Sequence, residues 1–252
     1  MQAKVKNIVS AIDSIAPLET ALAWDNVGLL AGDPEASVSC IVTALDATPG
    51  VIEEASALGA ELIVTHHPVL FTPVRKICAD DPQGKVIMML LKERISLIAA
   101  HTNWDLAAGG ANDALMQAAG FAGAAGEEML RTAQVGNMSP DALCAQLSDR
   151  LRTKALFFGN REQPVRLLAS CSGAGGAEIR AAKDAGADCY LTGELKHNEL
   201  LEAMQLGLRV VLVGHGPSEE PAVDALNRAL QSRLNALQYS VRVIRSGVNP
   251  FL

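Results

Sequence analysis

Two adjacent histidines, His66 and His67, stand at the end of a short apolar run, Leu62 to Val64. Such a run reads as a buried strand. Side chains alternate faces along a strand, but where the chain bends at the strand end both imidazoles can turn toward one site. His101 follows a second apolar run, Ile95 to Ala100, and His215 follows Val210 to Val213 and Gly214. Asp105 stands four residues after His101, and Glu219 four after His215. Imidazole and carboxylate donors without cysteine suit Zn, Fe, Mn, Co or Ni. A carboxylate can bridge two such ions about 3.5–4 Å apart, and the pair then generates hydroxide near neutral pH. Each residue also has an ordinary structural role open to it. His101 or His215 could bond to backbone at a strand end, and Asp105 or Glu219 could cap a helix. The joint pattern favours the metal: four of the five histidines follow strands, and two carry the same acid offset.

The intervening residues supply the elements these groups need. Val5, Ile8, Val9, Ile12 and Ile15 recur at helical spacing and predict an amphipathic helix over 3–16, ended by Pro17. Trp24 to Leu30 reads as a turn, capped by Asp25 or Asn26, that leads into apolar residues. Cys40 to Leu45 reads as a strand. Val51, Ile52, Ala55 and Leu58 mark a short helix, with Gly59 as its natural C-cap. With Leu62 to Val64 these make a βαβ unit, so a parallel strand pair is expected. Residues 68–84 are Pro-rich and irregular, either a lid or a long connection, and 85–94 look helical. His197 falls early in a helix and is expected to line the pocket.

The second half echoes the first. Ala55 matches Ala182, Gly59-Ala60 matches Gly186-Ala187, and Thr65 matches Thr192. His66-His67 then stand where the second copy has Gly193-Glu194. The strand before His101 matches the strand before His215, and Ala111 to Leu115 echoes Ala222 to Leu226. An ordered string of matches is the mark of a duplicated unit. The fold expected is α/β: two similar α/β domains from an internal duplication, over residues 1–125 and 126–252, with some interlacing allowed.

Composition excludes several classes of function. The 252 residues are 49% hydrophobic and 4% aromatic, which suits apolar strands under Ala-rich helices. A formal net charge of -7 with no Lys/Arg cluster argues against a nucleic-acid partner. There is no run of about 18 apolar residues to span a membrane. The N-terminal residues lack the apolar core of a signal peptide. Five cysteines, Cys40, Cys78, Cys144, Cys171 and Cys189, form no CxxC and fit a reduced cytoplasm better than a disulfide framework.

The motifs together resemble the Nif-three-like dinuclear metal-centre family, the GTP cyclohydrolase 1 type 2 homologues. The likeness runs essentially end to end. It rests on Trp24-Asp25-Asn26-Val27-Gly28-Leu29, Thr65-His66-His67-Pro68, His101-Thr102-Asn103-Trp104-Asp105 and Ser172-Gly173-Ala174-Gly175-Gly176. It rests also on Leu191-Thr192-Gly193-Glu194, Gly214-His215-Gly216-Pro217-Ser218-Glu219 and the closing Asn249-Pro250-Phe251. The resemblance implies two divalent ions in a cleft between the two domains. It implies His67 and Asp105 on one ion, His66 and His215 on the other, and Glu219 bridging, with His101 a near neighbour. It implies a toroidal homohexamer, and this chain has no room for the extra domain some members carry mid-chain. The family name implies a metal-dependent hydrolase acting on a purine nucleotide, with Glu194 or His197 as proton carrier. The other readings are a metal-delivery protein and a ring scaffold with structural metals. Ser172 to Gly176 is the one glycine-rich turn able to approach a phosphate, or equally a tight strand-to-helix turn.

Overall fold

The computed structural model describes residues 2–126 and 128–249; Pro250 and Phe251 of the closing motif lie outside them. The chain begins with β1 (Ala3–Lys4), α1 (Val5–Asp13), β2 (Gly28–Ala31), β3 (Ser37–Val38) and β4 (Cys40–Ala44). It continues through α2 (Pro49–Ala57), β5 (Leu62–Thr65), α3 (Pro82–Glu93), β6 (Ser96–Ala99), α4 (Thr102–Leu106) and α5 (Ala111–Ala118). Then come β7 (Arg131–Met138), α6 (Pro140–Arg150), β8 (Leu156–Phe158), β9 (Val165–Ala174) and α7 (Ile179–Asp184). The last elements are β10 (Cys189–Glu194), α8 (His197–Gln205), β11 (Arg209–Leu212), α9 (His215–Ala236) and β12 (Arg242–Arg245).

These elements form two compact units, one of residues 1–108 and 223–252, the other of residues 109–222. Each is built on a five-stranded sheet. The first unit has the order β12-β4-β5-β6-β2. Its strands β12, β4, β5 and β6 are parallel, and β2 is antiparallel on the β6 edge. The second has the order β7-β9-β10-β11-β8. There β9, β10 and β11 are parallel and β8 is antiparallel on the β11 edge. Three parallel strands with an antiparallel edge strand therefore recur, as a duplication requires. The sheets differ at the opposite edge, where β12 is parallel to β4 and β7 is antiparallel to β9.

The units do not follow the halves 1–125 and 126–252. The last helix of the first repeat, α5, packs Leu115, Met116 and Ala119 with Leu168 and Leu191 in the core of the second unit. The matching stretch of the second repeat, α9 from Val223 onward, counts with the first unit, where Asn227 Nδ2 donates to Thr43 Oγ1 at 3.0 Å. The chain then continues into β12, which pairs with β4. The repeats interlace because each finishes on the other's sheet.

Local chemistry explains the elements around the histidines. Ile41, Val42, Leu62, Ile63, Val64, Leu97 and Ile98 are wholly buried, so β4, β5 and β6 are apolar on both faces, as parallel strands under helices must be. Each such side chain contributes about 1.5–3 kcal/mol of transfer free energy. Thr48 caps α2 and Asp81 caps α3, each with proline at the first helical position. That cap starts α3 at Pro82, three residues before the predicted helix. Gly59 follows α2 at φ +67, the left-handed conformation glycine accepts most readily. Residues 66–81 hold no regular element. No helix among the described residues is long and apolar enough to cross a membrane. None of the five cysteines forms a disulfide.

Candidate metal centre

In the first unit the parallel strands deliver their chemistry past their carboxyl ends, where α/β sheets gather ligands. Asp46 follows β4, His66 and His67 follow β5, and His101 follows β6. Hydrogen bonds carry the ladder past the strand ends: His66 N donates to Ala44 O at 3.2 Å and His67 N to Leu45 O at 3.0 Å. Thr65 Oγ1 donates to His67 O at 2.8 Å and fixes the bend. Both imidazoles thereby reach one place. The ring centroids of His66 lie 5.0 Å from those of His67 and of His101, and His67 lies 5.5 Å from His101. One ligand atom from each of the three lies within 4.8 Å of the others. Asp105 adds a carboxylate, its Oδ1 3.6 Å from His66 Nε2. It sits inside α4 and is not the cap; His101 occupies that position.

Every imidazole here has its Nδ1 committed to an oxygen. His66 Nδ1 lies 3.0 Å from Ala100 O, His67 Nδ1 2.8 Å from Asp46 Oδ1, and His101 Nδ1 2.9 Å from Asp25 Oδ1. A carbonyl only accepts, so His66 carries its proton on Nδ1, and the two carboxylates favour the same tautomer. Nε2 is then the nitrogen each ring presents for ligation. Histidines bound to metal have this arrangement almost without exception: one nitrogen on the ion, the other donating to a carboxylate or carbonyl.

Asp25 is more than a turn cap. Its carboxylate accepts from His101 Nδ1, from Thr102 N at 3.0 Å and from the Thr102 hydroxyl. Burial works against its charge, but the hydrogen bonds from His101 and Thr102 outweigh it and hold the carboxyl far below the usual range. Within the same motif, Asn103 Nδ2 donates to Ala16 O at 2.9 Å, and Trp104 is buried. The segment is thus anchored immediately before Asp105.

The second unit repeats the pattern. Glu194 closes β10, and His215 opens α9 just past β11. His215 Nδ1 lies 3.2 Å from Glu194 Oε1, and its Nε2 lies 3.1 Å from Glu219 Oε2, one helical turn on. Glu219 lies within α9 and is not its cap. Its carboxylate is buried, and the glycine-rich turn shapes its surroundings. A Cβ on Gly173, at φ +63, would come within 2.2 Å of Glu219 Oε1. Three of the backbone N–H groups of this turn are already used. Ser172 N donates to Asn112 Oδ1, Gly173 N to Ser218 Oγ and Gly175 N to Thr192 Oγ1. The turn is therefore a tight strand-to-helix connection rather than a phosphate cradle.

His66, His67, His101 and Asp105 are brought together in the first unit, and His215, Glu219 and Glu194 in the second. His197 stands exposed at the first residue of α8 and joins neither group. Sequence reasoning gave Asp46 no role and Asp25 only that of a cap. The signal for both was present: Asp46 directly follows a strand beside the His66-His67 strand, and Asp25 belongs to the Trp24-Asp25-Asn26 motif. The donor set fits first-row divalent ions, being imidazole Nε2 and carboxylate oxygen with each His66, His67 and His215 ring held by an outer oxygen.

The model of the Duf34/NIF3 family (NGG1p interacting factor 3) matches residues 3–250. A GTP cyclohydrolase 1 type 2 homolog of Clostridium acetobutylicum is 30% identical, covering 100% of this chain and 99% of that protein. Another of the same name from Clostridium perfringens is 33% identical, covering 92% of this chain and 93% of its own length. A crystal structure of a Staphylococcus aureus hypothetical protein superposes with a TM-score of 0.93 at 26% identity, covering 99% of this chain and 98% of the other. A Bacillus cereus protein related to NIF3 superposes with the same TM-score at 23% identity, covering 99% of both chains, a likeness of fold.

Proposed function

Because the chain belongs to the Duf34/NIF3 family, we propose that it binds two divalent metal ions and is a metal-dependent hydrolase of a purine nucleotide. The observation that carries the metal reading is the common orientation of the imidazoles, each with Nδ1 on an oxygen acceptor. His67 and Asp105 would hold one ion and His66 and His215 the other, with Glu219 as a ligand common to both. This division follows the family resemblance. His101 stands beside the set. The name of the clostridial relatives is what points to a guanine nucleotide.

When bound, divalent ions of this kind supply Lewis acidity and make water a nucleophile near neutral pH. The chain's own residues do the rest. Asp46 and Asp25 hold the rings of His67 and His101 in one tautomer, and Glu194 does so for His215. Glu194 Oε1 accepts the Nδ1 proton of His215 while its carboxylate remains largely open to solvent, which suits a proton carrier. His197, exposed three residues on, is the second residue for that role. The chain assembles as a homohexamer and works in the cytoplasm, both by family resemblance.

The test is elemental analysis of protein purified without a histidine tag, followed by a screen of nucleotides and phosphoesters. Metal approaching two ions per chain and turnover that stops on chelation are expected. Protein that holds no divalent ion after incubation with Zn, Mn, Fe, Co or Ni refutes the metal reading. Metal-loaded protein that turns over nothing in the screen refutes the hydrolase.

A further inference from the structure

Trp24 and Phe71 are exposed by 57% and 47% in a chain whose other tryptophan, Trp104, is 2% exposed. Their ring centroids are 5.6 Å apart at an interplanar angle of 34°. Both also meet His101 edge-on, Trp24 at 6.1 Å and Phe71 at 6.0 Å. The pair is held in place from behind. Asn26 Nδ2 donates to Leu70 O and ties the segment carrying Trp24 to the one carrying Phe71. Asp25, next to Trp24, is fixed to His101 and Thr102. Large rings left in water, braced against each other and against an imidazole of the histidine cluster, are organised before any ligand arrives.

We propose that Trp24 and Phe71 form a stacking platform that receives a planar heteroaromatic ring, a purine base, beside the histidine cluster. An aromatic face stacks on any such base, and the surrounding polar groups can meet the edge of a heterocycle. The platform's place against His101 is what selects a small ligand over a protein. A protein contact has no need of the imidazole cluster, and about half of two aromatic side chains offers only about 200 Å², against about 800 Å² per partner in a standard interface. The same segments also expose Leu22, Val74 and Ile77, so a second copy seated there is the rival occupant. The inference deepens the hydrolase reading and rests on it for the choice of a purine as probe.

The presence of only two tryptophans makes the test direct. In Trp104→Phe, Trp24 is the sole tryptophan, and its emission is excited selectively over that of the two tyrosines. Guanosine 5′-monophosphate should quench it saturably, and ribose 5-phosphate should not. Calorimetry on the otherwise native chain gives the same comparison without altering the buried Trp104. There, Trp24→Ala and Phe71→Ala should each weaken the nucleotide by about 5- to 150-fold, the range of base–aromatic stacking. Three results overturn the platform: no saturable binding of the nucleotide, equal binding of ribose 5-phosphate, or variants that change oligomeric mass but leave nucleotide affinity unchanged. Saturable, ring-dependent binding by metal-loaded protein that hydrolyses nothing keeps the platform and sinks the hydrolase. Hydrolysis with the same KM in wild type and both variants does the reverse.

Discussion

Gly173→Ala isolates the approach of the Glu219 carboxylate to a glycine in the second unit. Two costs apply. The first is conformational: at φ +63 an L-residue pays about 1–2 kcal/mol, partly offset by about 0.4–1 kcal/mol from the stiffer unfolded chain. The second is steric, since the new methyl would stand 2.2 Å from Glu219 Oε1 and 3.4 Å from His215 Nε2. Pushing a buried side chain aside costs about 1–3 kcal/mol. Gly186 supplies the control, because it has φ +79 in the same unit but nothing within 4 Å of its Cβ position. Gly186→Ala should therefore cost about 1 kcal/mol or less and Gly173→Ala about 2–4 kcal/mol. Since 1 kcal/mol moves the Tm of a chain this size by about 2–4 °C, Gly173→Ala should fall by at least about 4 °C. Thermal unfolding followed by circular dichroism, on chelator-treated protein so that bound ions do not contribute, measures both. Equal shifts for the two variants would mean that the Glu219 carboxylate gives way freely, and the account of Gly173 would be wrong.

Glu219→Gln should lower metal content on elemental analysis more than Glu220→Gln, because Glu219 faces His215 Nε2 at 3.1 Å; equal loading removes Glu219 from the ligand set. Asp46→Ala should weaken Zn binding by about 10- to 100-fold in competition with a chromophoric chelator, since His67 loses the carboxylate that fixes its ring; an unchanged Kd refutes that role. Burial opposes the charge of Glu61, but the N–H groups of Ser39 and Cys40 and the Ser39 hydroxyl outweigh it and lower its pKa. A depressed carboxylate stabilises the fold above its unfolded pKa of about 4.3 and loses that contribution as pH falls through the folded value. Glu61→Gln should thus be less stable by about 1 kcal/mol at pH 7, allowing for solvent screening, and urea titrations should show the gap closing in acid; a gap independent of pH refutes the linkage.

What could be read from the sequence was whatever has a short period or a repeated order. β4, α2 and β5 are legible because their residues run apolar at strand and helix spacing, and the parallel pairing follows from the connection. The histidines are legible because they interrupt apolar runs at matching places in two copies. The edge strands were missed for the opposite reason. β7 is a polar run, Arg131 to Met138, with Gly136 inside it, and β12 is Arg242 to Arg245, four residues paired with a strand some two hundred positions away. No local pattern distinguishes such segments from loops. The compact units, 1–108 with 223–252 and 109–222, differ from the sequence repeats because a repeat is a unit of sequence, whereas a compact unit is decided by where α5 and α9 bury their apolar faces.

The supporting carboxylates show a second kind of limit. Asp25 and Asp46 lie in turns, where an aspartate most often bonds its own backbone. Asp25 does so, accepting from Asn26 N at 2.8 Å, yet the same carboxylate holds His101, 76 positions later. The two roles call for the same residue in the same local setting, so only the folded partner separates them. The glycine-rich turn makes the point from the other side. An absent Cβ admits whatever comes near, either a phosphate to the backbone N–H groups or a neighbouring side chain to the Cα. Counting hydrogen bonds decides between these. The N–H groups of Ser172, Gly173 and Gly175 are already taken by Asn112, Ser218 and Thr192, and the space over Gly173 is filled by Glu219. Glycine is required there because a carboxylate of the proposed metal site needs the room, and for that reason a methyl group at residue 173 tests the second unit's half of the site without replacing any proposed ligand.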